Sequence, residues 1–497
     1  MQENNNEIIS PQRGGLTRKV ITGGFWIFSL RISNRMVSFA RTIILARLLS
    51  PDDFGLFGIA MLALSALERF SITGFDQALI QKKGKIESHL DTTWVVQIVR
   101  GFLIGLVLFV GAPLIAGFFN EPSAVMLMRT LGAGFCILGF KNVGIVYFRK
   151  RIDLKQEFIY EFSGTIADFA TALTAAIILR NAWALILGFL ARSIVQVIVS
   201  FIIQPFRPKL IINKDSFKEL FSFGQWVWIS GIFVFLLTQG DSIIVGKLIG
   251  VTALGFYQMA YKISNLPGTE ITHIISHVTF PAYSRLQDNL GRLREAYFRV
   301  LAPSAVLSVG VGGLIFTVAP EFTAVVLKEQ WLPIITTIRI LVCWGIIRSI
   351  VASISPVFYS LGKPKIVTFL QGSQALVLAA LIYPFALRGG IEGVALAVVI
   401  SSLVLFIVRS GFLARTIHCS IWRFYRTVLF PIISAIAAYG AVYAFNTGFP
   451  EIKGIGFLAI SAALFILVYG IIILVGRFAQ QGGKLNLAEY LSPSDNQ

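Results

Sequence analysis

The feature that most constrains this chain is the recurrence, along its 497 residues, of apolar runs long enough to cross a bilayer. A hydrocarbon core of roughly 30 Å needs about 20 apolar residues per helix. Runs of that kind lie near 21–46, 54–74, 93–118, 124–148, 159–180, 182–204, 223–249, 252–277, 296–319, 332–361, 365–387, 390–414, 424–446 and 454–476. The eighth is interrupted by Asn265-Leu266-Pro267-Gly268, where proline frees a backbone carbonyl. A soluble domain covers its core with about 25% charged residues, and here only 14% are charged. The expected fold is all-α, a polytopic membrane protein of about 14 transmembrane helices with no soluble domain. The first twenty residues are polar and the apolar run after them is too long for a signal-peptide core, so the first helix is expected to stay as an anchor.

The net charge of +18 would point to nucleic acid in a soluble protein. Its distribution gives another reading. With the N-terminus inside, inner segments hold Arg13, Arg18, Lys19, Lys82, Lys83, Lys85, Arg149, Lys150, Arg151, Lys155, Arg207, Lys209, Lys214, Lys218, Arg285, Arg292, Arg294, Lys363, Lys365, Arg415, Arg423, Arg426, Arg477 and Lys484, which is 24. Outer segments hold Arg47, Arg180, Lys247, Lys328, Arg388 and Lys453, which is 6. Lysine and arginine hold loops in the cytoplasm, so both termini are expected there and no nucleic-acid partner is expected.

The chain also repeats itself. Shifted by 200 residues, RTIILARLLSPDDFGLFGIA (41–60) falls without a gap on DSIIVGKLIGVTALGFYQMA (241–260). Arg129 and Leu131 match Arg339 and Leu341 at an offset of 210, and Arg180 matches Arg388 at a similar one. Six spans per unit return the chain to the same side, so the halves run parallel about an axis along the membrane normal. The expected layout is a cytoplasmic segment 1–20, a six-helix lobe 21–210, a second 211–418, two extra helices 419–478 and a cytoplasmic tail 479–497. Two such lobes around a central cavity suit alternating access.

Charges within the spans are the candidate functional groups. An ion at mid-bilayer costs at least about 2.5–3.5 kcal/mol, so each should face protein or water. Arg31, Arg35, Arg41, Arg100, Arg129, Lys141, Arg192, Lys262, Arg339 and Arg348 outnumber Glu68, Glu161, Asp168, Asp241 and Glu270 by ten to five. Seven of the cations, Arg31, Arg35, Arg41, Arg129, Lys262, Arg339 and Arg348, are candidates to line a cationic, anion-binding cavity, since arginine forks fit phosphate oxygens. Snorkelling or pairing is the competing reading, strongest for Arg41, Arg129 and Arg339 near span ends. Glu68, Asp168, Asp241 and Glu270 are candidate counter-ions or ion-coupling carboxylates. His273 and His277 lie one turn apart without a third ligand, so packing is the expected role and no metal site is assigned. The three cysteines lack metal spacing, no phosphate-binding G-x-x-x-x-G-K-[ST] occurs, and no catalytic constellation stands out. No cofactor and no enzymatic activity are expected.

The stretches ARLLSPDDFGLFGIAML (46–62), TFPAYSRLQDN (279–289) and YSLGKPK (359–365) resemble the polysaccharide-transport branch of the multidrug/oligosaccharidyl-lipid/polysaccharide flippase superfamily, which contains the Wzx-type O-antigen and colanic-acid flippases. The resemblance covers nearly the whole chain. It implies translocation of undecaprenyl-pyrophosphate-linked oligosaccharide across the bacterial inner membrane, with polysaccharide polymerase and chain-length machinery as partners. It also implies a cleft lined by helices one, two, seven and eight, which by position alone carries over to Arg31, Arg35, Glu68, Asp241 and Lys262. A drug or small-solute exporter of the same superfamily is the alternative. A membrane-embedded enzyme of polysaccharide synthesis is a more distant one.

Overall fold

A computed structural model describes residues 33–71, 75, 79, 87–151, 153–213, 235–268, 279–280, 282–449 and 454–480. The chain divides into two compact units, Met1–Gly240 and Asp241–Gln497. Among the described residues there is helix and no strand.

In unit 1, α1 (33–48) turns through Ser50 into α2 (Pro51–Phe70). The Ser50 hydroxyl accepts from the Asp53 amide at 3.2 Å, and the Asp53 carboxylate accepts from the Ser50 amide at 2.9 Å. This reciprocal cap fills donors that a helix start leaves open. Then come α3 (Glu87–Phe119), α4 (Ala124–Gly139), the short α5 (Val146–Arg151), α6 (Leu154–Leu179) and α7 (Trp183–Ile203). Arg180 ends α6 in the left-handed region with φ 51°.

Helix α8 (235–248) carries the unit boundary. Gly250, with φ 118°, turns the chain into α9 (Val251–Ser264) without a side-chain cap, a conformation open to glycine. Helix α9 stops where the Asn265–Gly268 interruption begins, and Asn265 is its C-cap. Unit 2 continues with α10 (Leu290–Phe322), α11 (Ile335–Ala352), α12 (Ser355–Ser360), α13 (Pro364–Thr416), α14 (Ile421–Gly448) and α15 (Ile455–Gln480).

Helix α13 has 53 residues and would reach about 80 Å if straight, far more than a bilayer core. It reverses at Gly390, with φ 53° and ψ −137°. The Gln374 amide donates to Ser402 Oγ at 3.1 Å, and Arg409 donates to Gln374 Oε1 at 3.0 Å. Those bonds link residues on opposite sides of Gly390, so the two arms lie side by side. Among the described residues, eight helices are long and apolar enough to cross a membrane, α13 counted once. The protein is an all-α, multi-pass membrane protein.

The duplication reappears as matched contacts inside each unit. At α3/α4, Gly101 meets Gly139 backbone to backbone, Gly105 faces Cys136, and Arg129 reaches Phe109. At α10/α11, an offset of 207 for the first helix and 210 for the second gives the same crossing. Ser308 bonds Ser349 at 2.6 Å, Gly312 faces Ile346, and Arg339 reaches Phe316.

Candidate functional site

In unit 1 two ion pairs join α6 to its neighbours. Glu157, Glu161 and Asp168 share one stripe of α6, at i, i+4 and i+11. Arg41 on α1 donates to Asp168 Oδ1 at 2.8 Å, with both side chains 14% exposed. Each ion cancels the charge the other would present to its surroundings. Gly188 on α7 makes the room, since a Cβ there would collide with the Asp168 carboxylate. Two turns along the stripe, Arg192 and Gln196 of α7 reach Glu161 Oε2 at 3.3 and 3.5 Å. Glu68 is exposed near the end of α2, and its backbone carbonyl accepts from Arg100 at 2.8 Å.

Arg129 and Arg339 play one role twice. The Arg129 Nε donates to the Phe109 carbonyl at 3.1 Å, and its guanidinium stands 4.7 Å from that ring's centre. The Arg339 Nε donates to the Phe316 carbonyl at 3.3 Å, with the ring centre 5.2 Å away. Each arginine fastens its helix to the one before, by a hydrogen bond and a cation–π contact.

In unit 2, Asp241 is buried on α8 with its acceptors occupied. Tyr257 of α9 donates to Oδ2 at 2.7 Å, and the Ser242 amide donates to Oδ1 at 2.8 Å. Tyr257 leads to Tyr261, whose ring centre lies 4.9 Å from Trp344 on α11. Arg348, one turn further along α11, holds its guanidinium 5.2 Å from the Trp344 ring and donates to Asn265 Oδ1 at 3.3 Å. Gly345 permits this closeness, because a Cβ there would strike the Ser264 carbonyl at the end of α9. Among the described residues no carboxylate pairs with Arg348.

The structure thus brings Arg41 to Asp168, and Asp241 to Tyr257. Among the described residues it gives Arg348 neutral partners in Asn265 and Trp344 and sets Arg129 and Arg339 against phenylalanines. Arg35 and Lys262 are exposed on α1 and α9. Arg31 and Glu270 lie outside the described residues, as do His273 and His277. Sequence reasoning missed Tyr257, Trp344 and Asn265 as partners. A signal existed for the first: the alignment that sets Asp241 against Arg41 also sets Tyr257 against Phe57, so a hydroxyl enters one repeat together with a carboxylate. The Arg409–Gln374–Ser402 bonds were also missed, because they join two arms whose fold-back at Gly390 only the structure displays.

Residues 44–336 match the model of a family described as "Polysaccharide biosynthesis protein". The chain belongs to that family. This polysaccharide biosynthesis family member is 24% identical over 337 residues to the lipopolysaccharide biosynthesis protein WzxC of Escherichia coli (strain K12), covering 67% of this chain and 68% of the relative. It is 24% identical over 418 residues to the teichuronic acid biosynthesis protein TuaB of Bacillus subtilis (strain 168), covering 83% and 86%. In fold it is similar to the lipid II flippase MurJ in an inward closed conformation, with a TM-score of 0.74 at 14% identity, covering 93% of this chain and 99% of that one. An inward-facing multidrug resistance transporter of the MATE family gives a TM-score of 0.62 at 18% identity, covering 78% and 94%. The family member therefore has the fold of these transporters.

Proposed function

We propose that the protein is a lipid-linked oligosaccharide flippase, moving undecaprenyl-pyrophosphate-bound repeat units of a surface polysaccharide from the cytoplasmic to the periplasmic leaflet by alternating access. The observation that carries this reading is Arg348, a guanidinium within a membrane-spanning helix whose charge no described carboxylate cancels. Among the described residues an amide oxygen and an indole face hold it in place, and neither offsets its charge. Such a group in a low-dielectric surround attracts an anion, and its planar fork fits phosphate oxygens. A second support is a cavity of about 390 Å³ in unit 2 among α10, α11, α13 and α14, walled by apolar side chains such as Val309, Ile346, Leu403 and Ile432. A hydrocarbon chain fits its chemistry.

The relatives' names tie WzxC to lipopolysaccharide biosynthesis, TuaB to teichuronic acid biosynthesis and MurJ to the flipping of lipid II. The uneven split of basic residues supports an orientation with both ends in the cytoplasm, and a flippase of this kind works in a bacterial cytoplasmic membrane. Substrate delivery and consumption then fall to glycosyltransferases on one side and polymerase and chain-length machinery on the other. The exporter alternative calls for an available carboxylate to receive a cationic drug, and Asp241 has both oxygens occupied. No catalytic role is assigned.

Cells lacking the protein should accumulate lipid-linked repeat units on the cytoplasmic face. The wild-type gene should restore transport, and Arg348→Ala should not, although the variant inserts normally. Arg348→Lys should restore it in part, because lysine keeps the charge and loses the fork. Normal surface polysaccharide with altered drug tolerance in the deletion would favour the exporter instead.

A further inference from the structure

Unit 1 contains a cavity of about 230 Å³ among α3, α4, α5, α6 and α7. It is smaller than the pockets of about 300–1,000 Å³ that take drug-sized ligands, and it lies toward the end of the helices that carries the basic loops, beside Lys141 and Phe148. Its polar walls hold two cations and two carboxylates, Lys141 and Arg192 against Glu157 and Glu161, so the charges balance. A phosphate would meet the carboxylates and a free cation would meet the ammonium. A neutral, hydroxyl-rich ligand meets neither penalty.

Several polar atoms lining this space have no partner among the described residues. Gln97 donates its amide to the Gly139 and Lys141 carbonyls at 2.8 and 3.0 Å, which leaves its side-chain oxygen open. Arg192 and Gln196 occupy Glu161 Oε2, and Glu161 Oε1 is unbonded. The Gln196 oxygen and the Lys141 ammonium are likewise unengaged among the described residues. Three acceptors and one donor therefore converge over a wall that includes the rings of Tyr160 and Phe148. Acceptor oxygens for hydroxyl groups beside an aromatic wall for C–H faces suit a pyranose ring.

We propose that this cavity is a sugar-ring site, holding one pyranose through Gln97, Lys141, Glu161 and Gln196. The proposal rests on the flippase reading when the ring belongs to a lipid-linked head group. A free sugar of the cytoplasm presents the same chemistry, and the experiment separates the two sources.

The purified full-length protein is titrated with glucose, N-acetylglucosamine and glucuronate, followed by saturation-transfer NMR, with inorganic pyrophosphate as the control. At least one pyranose should bind saturably at millimolar concentration, and pyrophosphate should not displace it. Lys141→Met should weaken binding at least tenfold with unchanged melting, because the Lys141 ammonium has no partner among the described residues. Leu138→Phe, which fills the cavity, should abolish it. Displacement of the sugar by delipidated head-group oligosaccharide assigns the site to the cargo, and lack of displacement assigns it to a free sugar. The absence of saturable binding by any of the three sugars, or binding unaffected in both variants, overturns the proposal. Transport lost in Arg348→Ala beside absent sugar binding would leave the flippase standing without this site, and sugar binding with no transport defect on deletion would do the reverse.

Discussion

Helices α3 and α10 occupy the same place in the two repeats and face different surroundings. The outward stripe of α3 is Val99, Leu103, Leu106, Val110 and Leu114, the last four exposed by 56%, 59%, 67% and 80%. The matching positions on α10, 207 residues on, are Val306, Gly310, Gly313, Thr317 and Glu321. There the terminal helices dock. Phe465 and Ala435 sit on Gly313, Tyr469 sits on Gly310, and the Tyr469 hydroxyl donates to the Val306 carbonyl at 2.7 Å. Asn446 donates to Glu321 Oε1 at 3.1 Å and accepts from Ser461 at 3.2 Å. Lipid tails are as apolar as leucine, so helices associate in a bilayer through close packing of small residues and through polar bonds. The large apolar stripe is therefore a lipid-facing surface, and the glycine-and-polar stripe is a seat for helices.

Exchanging residues between the stripes tests that contrast. The largest effect is expected from Gly310→Leu with Gly313→Leu, the residues unit 1 carries. Overpacking costs about 1–3 kcal/mol per site, so the variant should melt well below the wild type, and cysteine pairs between α10 and α15 should stop cross-linking. The reciprocal Leu106→Gly should cost about 1 kcal/mol or less, the propensity difference of an exposed helical glycine. Equal losses in both directions would break the comparison.

Next in size are the paired arginines. Arg339→Ala should destabilise by about 1–2 kcal/mol and Arg129→Ala by about 0.5–1, because cation–π contacts strengthen away from water and Phe316 is covered by Tyr439 of α14 at 5.5 Å whereas Phe109 is exposed. Thermal melts in one detergent would rank them, and a larger loss at Arg129 would contradict the asymmetry. Glu321→Leu, which copies Leu114, should cost about 1 kcal/mol because the Asn446 amide loses the acceptor for its N–H, read as a lowered melting temperature.

The smallest effect belongs to the basic end of unit 2, where Arg423 of α14 bonds both Glu295 oxygens at 2.9 and 3.1 Å. Hydrogen bonding to Arg423 holds the Glu295 carboxyl below its ordinary value. A carboxylate lowered in the folded state contributes stability above its unfolded pKa and loses it as pH falls through the folded one. Glu295→Gln should therefore flatten a slight fall in melting temperature at acidic pH, and an unchanged slope would show that the pair contributes nothing there. The exposure of the pair keeps the effect small.

The helices were legible because a bilayer demands long apolar runs whatever their partners. The break after α9 was legible too, since proline acts on its own backbone. Charges within spans showed where cost had to be met, and they did not say how. Arg41 and Asp168 lie 127 residues apart, and Asp241 needed a hydroxyl from the next helix. Arg129 and Arg339 were matched by sequence, yet their phenylalanine partners are fixed by the register of the helix crossing.

Hydropathy determined by itself an all-helical, multi-pass membrane protein, because it depends on transfer of single side chains between water and lipid. Only the tertiary structure decided which of the described charges within spans meet a carboxylate, because an ion pair needs atoms within about 3 Å and depends on helix packing. In the sequence Arg41 already stood near a span end, where pairing is the stronger reading, and Arg348 stood within its span. Packing gave one a carboxylate and the other an amide and an indole.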